Sequence, residues 1–380
     1  MKIGRRAFNR LFQGFQTYCG LDSPGICDSL RVWAPSRPAC WRMRLIYPAL
    51  SISPIVPKNL SEEAPAVAAR YEANTELAFS GQFLFCLPNA RVRGPHGFVV
   101  LEEGAFVLEG NWRVSNVVRH PLFSKAPLSK SRSLKGNWYS IISYFSGSYH
   151  HWLWDDLPRL ITAMPHLPSD TQFLIPENPK DYHLEALAAL GIEQFRLHEH
   201  SSETETKVER LWFATPLGHS EWAATAPAVV SQLRDSFRKF VQPEQTNDRK
   251  IYISRQKARQ RRIVNENELL SIIIEHGFEM VFAEDLTFRE QGKLFGQASC
   301  ILGVHGAGLT NMIFAKPGTE VLEIQLNDPK CSRTHYWMMA SILGHKYNCI
   351  LGEAIQNPSK NDDPDCYLDP ERITSFLSRA

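Results

Sequence analysis

Apolar residues along this chain change their spacing several times, and each change marks a different kind of element. Between about 80 and 120 they come in short clusters separated by glycine, at 83–85, 98–101, 105–108 and 112–114. Clusters of that length between turn residues predict short strands in a small meander or an added sheet. Residues 136–240 then alternate: a strand at 138–142, a helix over 151–164, a strand at 172–175, a helix over 182–190 and a strand at 208–214. Strands alternating with helices predict a parallel sheet with helices on its faces.

The charged stretch 242–250 interrupts this pattern, which then restarts. Strands are predicted at 250–254, 278–282, 300–304, 320–324 and 347–350, with helices over 265–276, 287–298 and 334–343. Asn265 is a candidate N-cap with Glu268 three residues on, Thr287 and Glu290 spell a capping box, and Gly344 suits a helix C′ position. Before residue 75, Pro24, Pro35, Pro38, Pro48, Pro54, Pro57 and Pro65 interrupt every candidate element. The expected organisation is α/β: a lead-in at 1–75, lobes at 76–242 and 243–355, and a tail at 356–380.

Composition narrows the function classes. A chain of 380 residues is longer than one core usually organises, and 43% apolar with 22% charged is ordinary globular composition. A net charge of +2, without zinc-finger spacing or an aromatic RNA-binding signature, argues against a nucleic-acid partner. The 8 cysteines are scattered without C-x-x-C pairs and read as reduced. No run of about 18 or more apolar residues occurs, and the N-terminus lacks a signal-peptide pattern, so a soluble cytoplasmic protein is expected. Lys2, Arg5, Arg6 and Arg10 alternate with Ile3, Phe8, Leu11, Phe12 and Phe15. That is either a solvated basic start or a segment that makes peripheral contact with the inner face of a membrane.

Three constellations carry candidate chemistry. The first is His305-Gly-Ala-Gly-Leu-Thr-Asn311, between a predicted strand and a predicted helix. Gly306 and Gly308 have no Cβ and Ala307 only a methyl, so the backbone can approach a ligand or take positive φ. A following helix would aim its N–H groups at an anion, most often a phosphate. Tight packing alone is the competing explanation. The order Gly303-x-x-Gly306-x-Gly308 is not the dinucleotide fingerprint, and no phosphate loop is present. A lipase-type oxyanion loop, or a hydrolase using His305, would need a G-x-S-x-G nucleophile that the chain lacks. Glu323, on the strand after Pro317-Gly318, could accept ribose hydroxyls or be a buried structural carboxylate, whereas Glu320 is expected to face solvent.

The second constellation is Ser148-Tyr-His-His-Trp-Leu-Trp-Asp-Asp-Leu-Pro-Arg159, in which His151 and Asp155 are four apart and share a helical face. An imidazole held by a carboxylate is a competent general base for a hydroxyl. An aromatic core helix is the alternative, and a zinc site at His150, His151 and Asp155 lacks the H-E-x-x-H order. The third is Arg255 at a strand end, followed by Arg259, Arg261 and Arg262. A guanidinium pairs bidentately with phosphate oxygens, and Arg255 and Arg262 are the candidates, the others fitting a solvated loop.

Together, His151-Trp-Leu-x-Asp155-x-Leu-Pro-Arg159, Tyr252-Ile-Ser-Arg255 with Arg262-Ile-Val-Asn-Glu266, and His305-Gly-Ala-Gly-Leu-Thr-Asn311 with Pro317-Gly-x-Glu-Val-Leu-Glu-Ile324 resemble glycosyltransferase family 61 over about 136–350. The bacterial capsular-polysaccharide members are the most similar type. The resemblance implies a GT-B-like arrangement of two Rossmann-like lobes with a cleft between them. It makes 76–242 the acceptor-side lobe and 243–355 the lobe that binds a nucleotide-sugar donor, with inversion at the anomeric carbon. It places Arg255, His305, Gly306, Gly308, Asn311 and Glu323 at donor-facing positions, to which Arg262 and Ala307 are added from their place in the motifs. His151 and Asp155 fall in the acceptor-side motif, which allows either to take the acceptor proton. No cofactor and no metal is implied, the nucleotide sugar being a substrate. Asp363-Pro-Asp365 has D-x-D spelling but lies in a polar tail. The expected acceptor is a growing surface glycan or a lipid-linked one, as in capsule synthesis. The alternative is a non-catalytic module that binds nucleotide sugar or glycan. Donor sugar, nucleotide and linkage depend on pocket shape, which no motif encodes.

Overall fold

A computed structural model describes residues 26–27, 29–36, 42–53, 65–72, 77–79, 81–109, 130–217, 226–242, 244, 246–328, 333–355 and 363–378. The basic segment 2–15, the cluster at 112–114 and Cys19, Cys40 and Cys331 lie outside the described residues. The chain forms two compact units, Met1–Leu50 with Phe79–Ala223, and Ser51–Ala78 with Ala224–Ala380. Both are α/β.

The first unit is built on ten strands: β1 (Ile26–Cys27), β2 (Arg42–Tyr47), β3 (Gln82–Pro88), β4 (Arg91–Arg93), β5 (Phe98–Val100), β6 (Phe106–Val107), β7 (Lys130–Ser140), β8 (Gln172–Pro176), β9 (Leu197–His200) and β10 (Thr204–Ala214). Their order is β1-β6-β5-β4-β10-β7-β8-β9, with β3 also on β10 and β2 on β3. Within it β10, β7, β8 and β9 run parallel. A helical segment at 149–166 joins β7 to β8, and α1 (Asp181–Ala189) lies between β8 and β9. The strands of 82–107 instead form antiparallel pairs, because glycines at positive φ, Gly94 at 67° and Gly97 at 60°, turn the chain tightly back between β4 and β5. This unit is therefore a mixed sheet, not a doubly wound parallel one.

The second unit has β11 (Arg249–Ile253), β12 (Phe278–Val281), β13 (Ala298–Val304), β14 (Glu320–Leu326), β15 (Lys346–Ile355) and β16 (Asp365–Tyr367), in the order β12-β11-β13-β14-β15-β16. All neighbours are parallel except the β15–β16 pair. Helices α2 (Pro227–Val241), α3 (Glu266–Glu275), α4 (Phe288–Phe295), α5 (His335–Leu343) and α6 (Pro370–Leu377) accompany it, as does the helix Pro65–Glu72. Alternation along the strands explains the two layers. Tyr252, Leu302, Leu322 and Ile350 pack with Leu269 and Ile273 of α3 and Ile373 and Leu377 of α6. On the opposite face Ile253 and Gly303 meet residues 308–309, and Phe237, Phe288 and Phe314 form a ring cluster with centroids 5.1 to 5.7 Å apart. A sheet buried on both faces needs the near-continuous apolar run that 298–304 supplies.

Capping follows the sequence in part. Thr287 accepts from the Glu290 N–H and Glu290 reciprocates, and Gly344 caps α5 at φ 74°. Asn265 precedes α3 as expected but makes no N-cap bond. Its side chain donates to the Leu368 carbonyl and accepts from the Leu368 N–H, fastening the C-terminal segment. The tail at 363–378 thus supplies a strand and a helix to this unit's core. The described cysteines Cys27, Cys86, Cys300, Cys349 and Cys366 are buried and form no disulfide with one another.

Candidate functional site

In the first unit the helical segment leaves the C-terminal end of β7 and is not uniformly α-helical. It is α-helical at Tyr149–His151, widens to a π-helix over Trp152–Asp156, resumes as α-helix at Leu157–Ala163 and closes in a 3-10 turn. The widening has a local cause: Pro158 has no N–H to give to the preceding turn and its ring crowds the carbonyl four residues back. Trp152 and Trp154 are buried, so the aromatics of this motif belong to the core. His151 and Asp155 face outward, with 21% and 16% of their side chains exposed, and His151 Nδ1 lies 2.6 Å from Asp155 Oδ2.

Burial works against an imidazolium at His151. The hydrogen bond and charge of Asp155, with Asp156 beyond, outweigh burial and raise its pKa above 6.5. Burial raises Asp155, opposed by its bond to His151. The shared proton therefore centres on the imidazole. Asp156 points inward, accepts from Ser146 Oγ at 2.7 Å and lies 3.7 Å from Arg159; burial pushes it up to about 6. His183 holds the preceding loop: its Nδ1 accepts the Lys180 N–H and its Nε2 donates to the Ser146 carbonyl, both at 2.8 Å. Phe145 from that loop stacks on His151 with centroids 4.6 Å apart.

In the second unit the glycine turn follows β13, and the helix after it, Ala307–Phe314, is 3-10. Neither Gly306 nor Gly308 uses a left-handed conformation; Gly306 is extended at φ 178°. Their bareness makes room for protein atoms. A Cβ on Gly306 would lie 2.1 Å from Arg255 Nη1, and one on Gly308 would lie 2.9 Å from Ile253 Cγ2. The first N–H groups of the 3-10 helix have no acceptor within it, and Ala307 and Gly308 are partly exposed.

Arg255 stands at the end of β11. Its Nε donates to the Arg261 carbonyl at 3.2 Å and its Nη2 to the Gln260 carbonyl at 3.0 Å, which turns Nη1 toward Gly306. Burial, then the neighbouring Arg261, pull its pKa down to about 10, so it stays charged at neutral pH. His305 Nδ1 lies 2.5 Å from Glu323 Oε1, and Tyr347 donates to the other oxygen at 2.5 Å. Glu323 is wholly buried, and burial lifts its carboxyl to about 8. Burial, followed by Arg261, Arg333 and Arg255, holds His305 well below 6.5. Near pH 7 the pair is neutral: the Glu323 carboxyl donates to Nδ1, and Nε2 keeps its hydrogen as a donor.

A pocket opens here, lined by His305, Arg261, Gln325, Arg333 and Asp363 among others. Gln325 Nε2 donates to Tyr71 Oη and to the Arg333 carbonyl, both at 2.7 Å, joining the pocket wall to the helix Pro65–Glu72. Among the described residues no group of three or more His, Cys, Asp or Glu side chains could hold a metal ion.

Residues 149–322 match the Glycosyltransferase 61 family model. The match includes His151, Asp155, Arg255 and the turn at 305–311 and ends at Leu322, one residue short of Glu323. The chain is 30% identical over 109 residues to an EGF domain-specific O-linked N-acetylglucosamine transferase of Drosophila melanogaster, covering 28% of this chain and 20% of that protein. It is 36% identical over 81 residues to an alpha-1,3-arabinosyltransferase of Oryza sativa subsp. japonica, covering 20% of this chain and 13% of that one. The aligned stretches thus span a fifth or less of these relatives. Family 61 and both relatives support glycosyl transfer. Among the described residues no helix is long and apolar enough to cross a membrane.

Of the residues singled out from the sequence, the second unit gathers Arg255, His305, Gly306 and Glu323, with Ala307 and Gly308 following in the chain and partly exposed. Asn311 is fully buried and donates to Gln291 at 2.7 Å, away from the pocket. Arg262 is bound to Asp365 at 2.7 Å, and its neighbour Arg261 lines the pocket instead. Arg261 and Asp363, which the sequence assigns to a solvated loop and a polar tail, line the pocket, and Gln325, Arg333 and Tyr347 are additions from the structure. Gln325 was legible, being two residues beyond Glu323 on the same strand face. The others come from loops and a neighbouring strand that only the fold brings near.

Proposed function

We propose that this chain is an inverting, metal-independent glycosyltransferase that moves a sugar from a nucleotide-sugar donor to a hydroxyl of a glycan or lipid-linked acceptor, in synthesis of capsule or another surface polysaccharide. The observation that carries the donor site is topological. The strand order β12-β11-β13-β14-β15 reverses between β11 and β13. In open α/β sheets ligands bind beyond the strand ends at such a point. The groups at these two ends are Arg255 and His305, beside a pocket wall bearing Arg261 and Arg333.

That cationic set suits a diphosphate. Arginine charge and the Nε2–H of His305 stabilise negative charge as the diphosphate leaves the anomeric carbon, which is the main electrostatic demand of the reaction. The acceptor oxygen attacks the same carbon from the opposite side, and the incoming bond forms as the C–O bond to the diphosphate breaks. His151 takes the acceptor proton while Asp155 fixes its tautomer and holds the resulting imidazolium. In this GT-B-like scheme the first unit serves the acceptor and the second the donor.

A thermal-shift panel of UDP, GDP, CDP, ADP and their sugar conjugates tests it. A ligand at about 100 times its Kd stabilises the fold by about 2.7 kcal/mol, so the correct nucleotide should raise Tm visibly. Turnover should survive EDTA. Loss of activity in EDTA with recovery on adding Mn²⁺ would refute the metal-free mechanism, and a flat panel would refute the donor site. A purely binding module would show the shift without consuming donor.

A further inference from the structure

Two aspartates in the C-terminal segment, two residues apart, meet arginines in very different ways. Asp365 is buried; its Oδ1 accepts the Arg262 N–H at 2.9 Å, and its Oδ2 accepts Nη2 at 2.7 Å and Nε at 3.2 Å. Those are distances of a charge-assisted pair that fastens the segment in place. Asp363 is about a third exposed and lies 3.7 Å from Arg261 Nε and 3.8 Å from Arg333 Nη2. These separations exceed hydrogen-bonding range, so its charge compensates the two guanidinia without locking to them. Its own N–H donates to Gln260 Oε1 at 2.8 Å, which keeps the backbone beside the loop while the carboxylate faces the pocket.

The placement of Arg261 is itself enforced. It has φ 58°, a left-handed conformation uncommon for a long side chain, and its carbonyl is held by Arg255. The loop therefore presents Arg261 to the pocket at some conformational cost, and the charge that meets it there comes from a segment 102 residues later in the chain.

We propose that Asp363 is an intramolecular competitor for the diphosphate site: its carboxylate occupies the electrostatic position between Arg261 and Arg333 until an anion displaces it. This rests on the assignment of the pocket to a diphosphate. A dianion that makes hydrogen bonds to both guanidinia outcompetes a carboxylate that makes none. Had the carboxylate stayed, it would repel the ligand across a few ångströms of partly desolvated space. The same carboxylate returning to the arginines assists release of the nucleoside diphosphate after transfer.

The test titrates the full chain with inorganic pyrophosphate, and with the nucleoside diphosphate that gives the largest thermal shift. The proteins are wild type, Asp363→Asn, Asp363→Ala, Asp365→Asn, Arg261→Gln and the Arg261→Gln, Asp363→Asn double variant. Both Asp363 variants should bind the anion roughly tenfold more tightly than wild type. The gain should shrink in the Arg261→Gln background, and Asp365→Asn should produce none. Unchanged or weaker binding by both Asp363 variants, with wild type binding normally, would overturn the competitor role; weaker binding would instead make Asp363 a ligand contact. Absence of diphosphate binding by wild type and every variant would overturn the diphosphate site itself, and the competitor with it.

Discussion

The two units each hold a histidine by a carboxylate through Nδ1, at 2.6 Å for His151–Asp155 and 2.5 Å for His305–Glu323, yet the pKa values of the two imidazoles are shifted in opposite directions. Around His151 the nearby charges are carboxylates, and they overcome burial to raise its pKa. Around His305 the nearby charges are chiefly arginines, and they add to burial to keep the ring neutral. Hydrogen-bond length is nearly the same in both, so it does not set the role. The sign of the surrounding charge sets the shift instead: it makes one imidazole more basic and keeps the other neutral, which suits the base and the donor of the proposed mechanism.

The largest effect that would break this contrast is expected at His151. His151→Ala should lower transfer by roughly 10²–10⁴-fold while leaving nucleotide affinity intact. Under the proposed mechanism the base is the unprotonated His151, so the wild-type rate should fall as pH drops below a value above 6.5. Asp155→Asn removes the main raising influence and leaves burial, so any residual activity should show that acid limb at lower pH. Rate–pH profiles of the two proteins decide it. An inactive Asp155→Asn beside a nearly normal His151→Ala would exchange the roles of base and orienter.

A smaller effect is expected at the glycine turn, where two neighbouring substitutions should separate ligand binding from packing. An alanine methyl at 306 would displace the Arg255 guanidinium, the movable end of a long side chain, so the fold should survive and diphosphate affinity should drop roughly tenfold. At 308 the methyl would instead press on Ile253 in the sheet, costing on the order of 1–3 kcal/mol of stability with little change in affinity. Calorimetric titration and urea melts of both variants give the comparison. Equal affinity in wild type and Gly306→Ala would show that Arg255 plays no part in binding.

What was legible in the sequence was mostly local. Apolar runs and helical spacing located the parallel strands of the second unit and β7, β8 and β10 of the first, because burial on both faces leaves a continuous apolar run and helices leave caps such as Thr287 and Glu290; β9, Leu-His-Glu-His, carries no such run. The i, i+4 spacing of His151 and Asp155 carried over into the structure, while the π-helical turn between them did not show, since a single Pro158 is compatible with several responses. For the glycines the sequence allows ligand approach, positive φ or tight packing; the atoms that a Cβ at 306 or 308 would meet are those of Arg255 and Ile253, which lie some 50 residues earlier in the chain. Asp363 and Arg333 could not be assigned from spacing. Their significance comes from charge brought together by tertiary packing: both aspartates of the D-x-D spelling at 363–365, which the sequence assigns to a polar tail, meet arginines.

The smallest effect sharpens the electrical contrast from the other side. Glu323 titrates near 8 in the folded protein against an ordinary value of 4.5, so between these limits the folded state keeps a proton that the unfolded chain has lost. Stability contributed by this group is complete below 4.5, falls as pH rises toward about 8 and is constant above it. His305 acts in the reverse sense below 6.5, where the unfolded chain takes up a proton that the folded ring refuses. The two slopes oppose each other below pH 6.5, and between 6.5 and about 8 Glu323 acts alone. Glu323→Gln removes its slope while keeping an N–H for His305 Nδ1 and an oxygen for the Tyr347 hydroxyl. The variant should therefore be close to wild type in stability at about pH 6 and gain on it as pH rises toward 8, by no more than about 1.4 kcal/mol per pH unit. Urea melts across that range measure the difference directly. A variant whose stability instead runs parallel to wild type from pH 6 to 8 would mean that Glu323 is an ionised carboxylate beside a neutral His305, with no extra proton held by the fold.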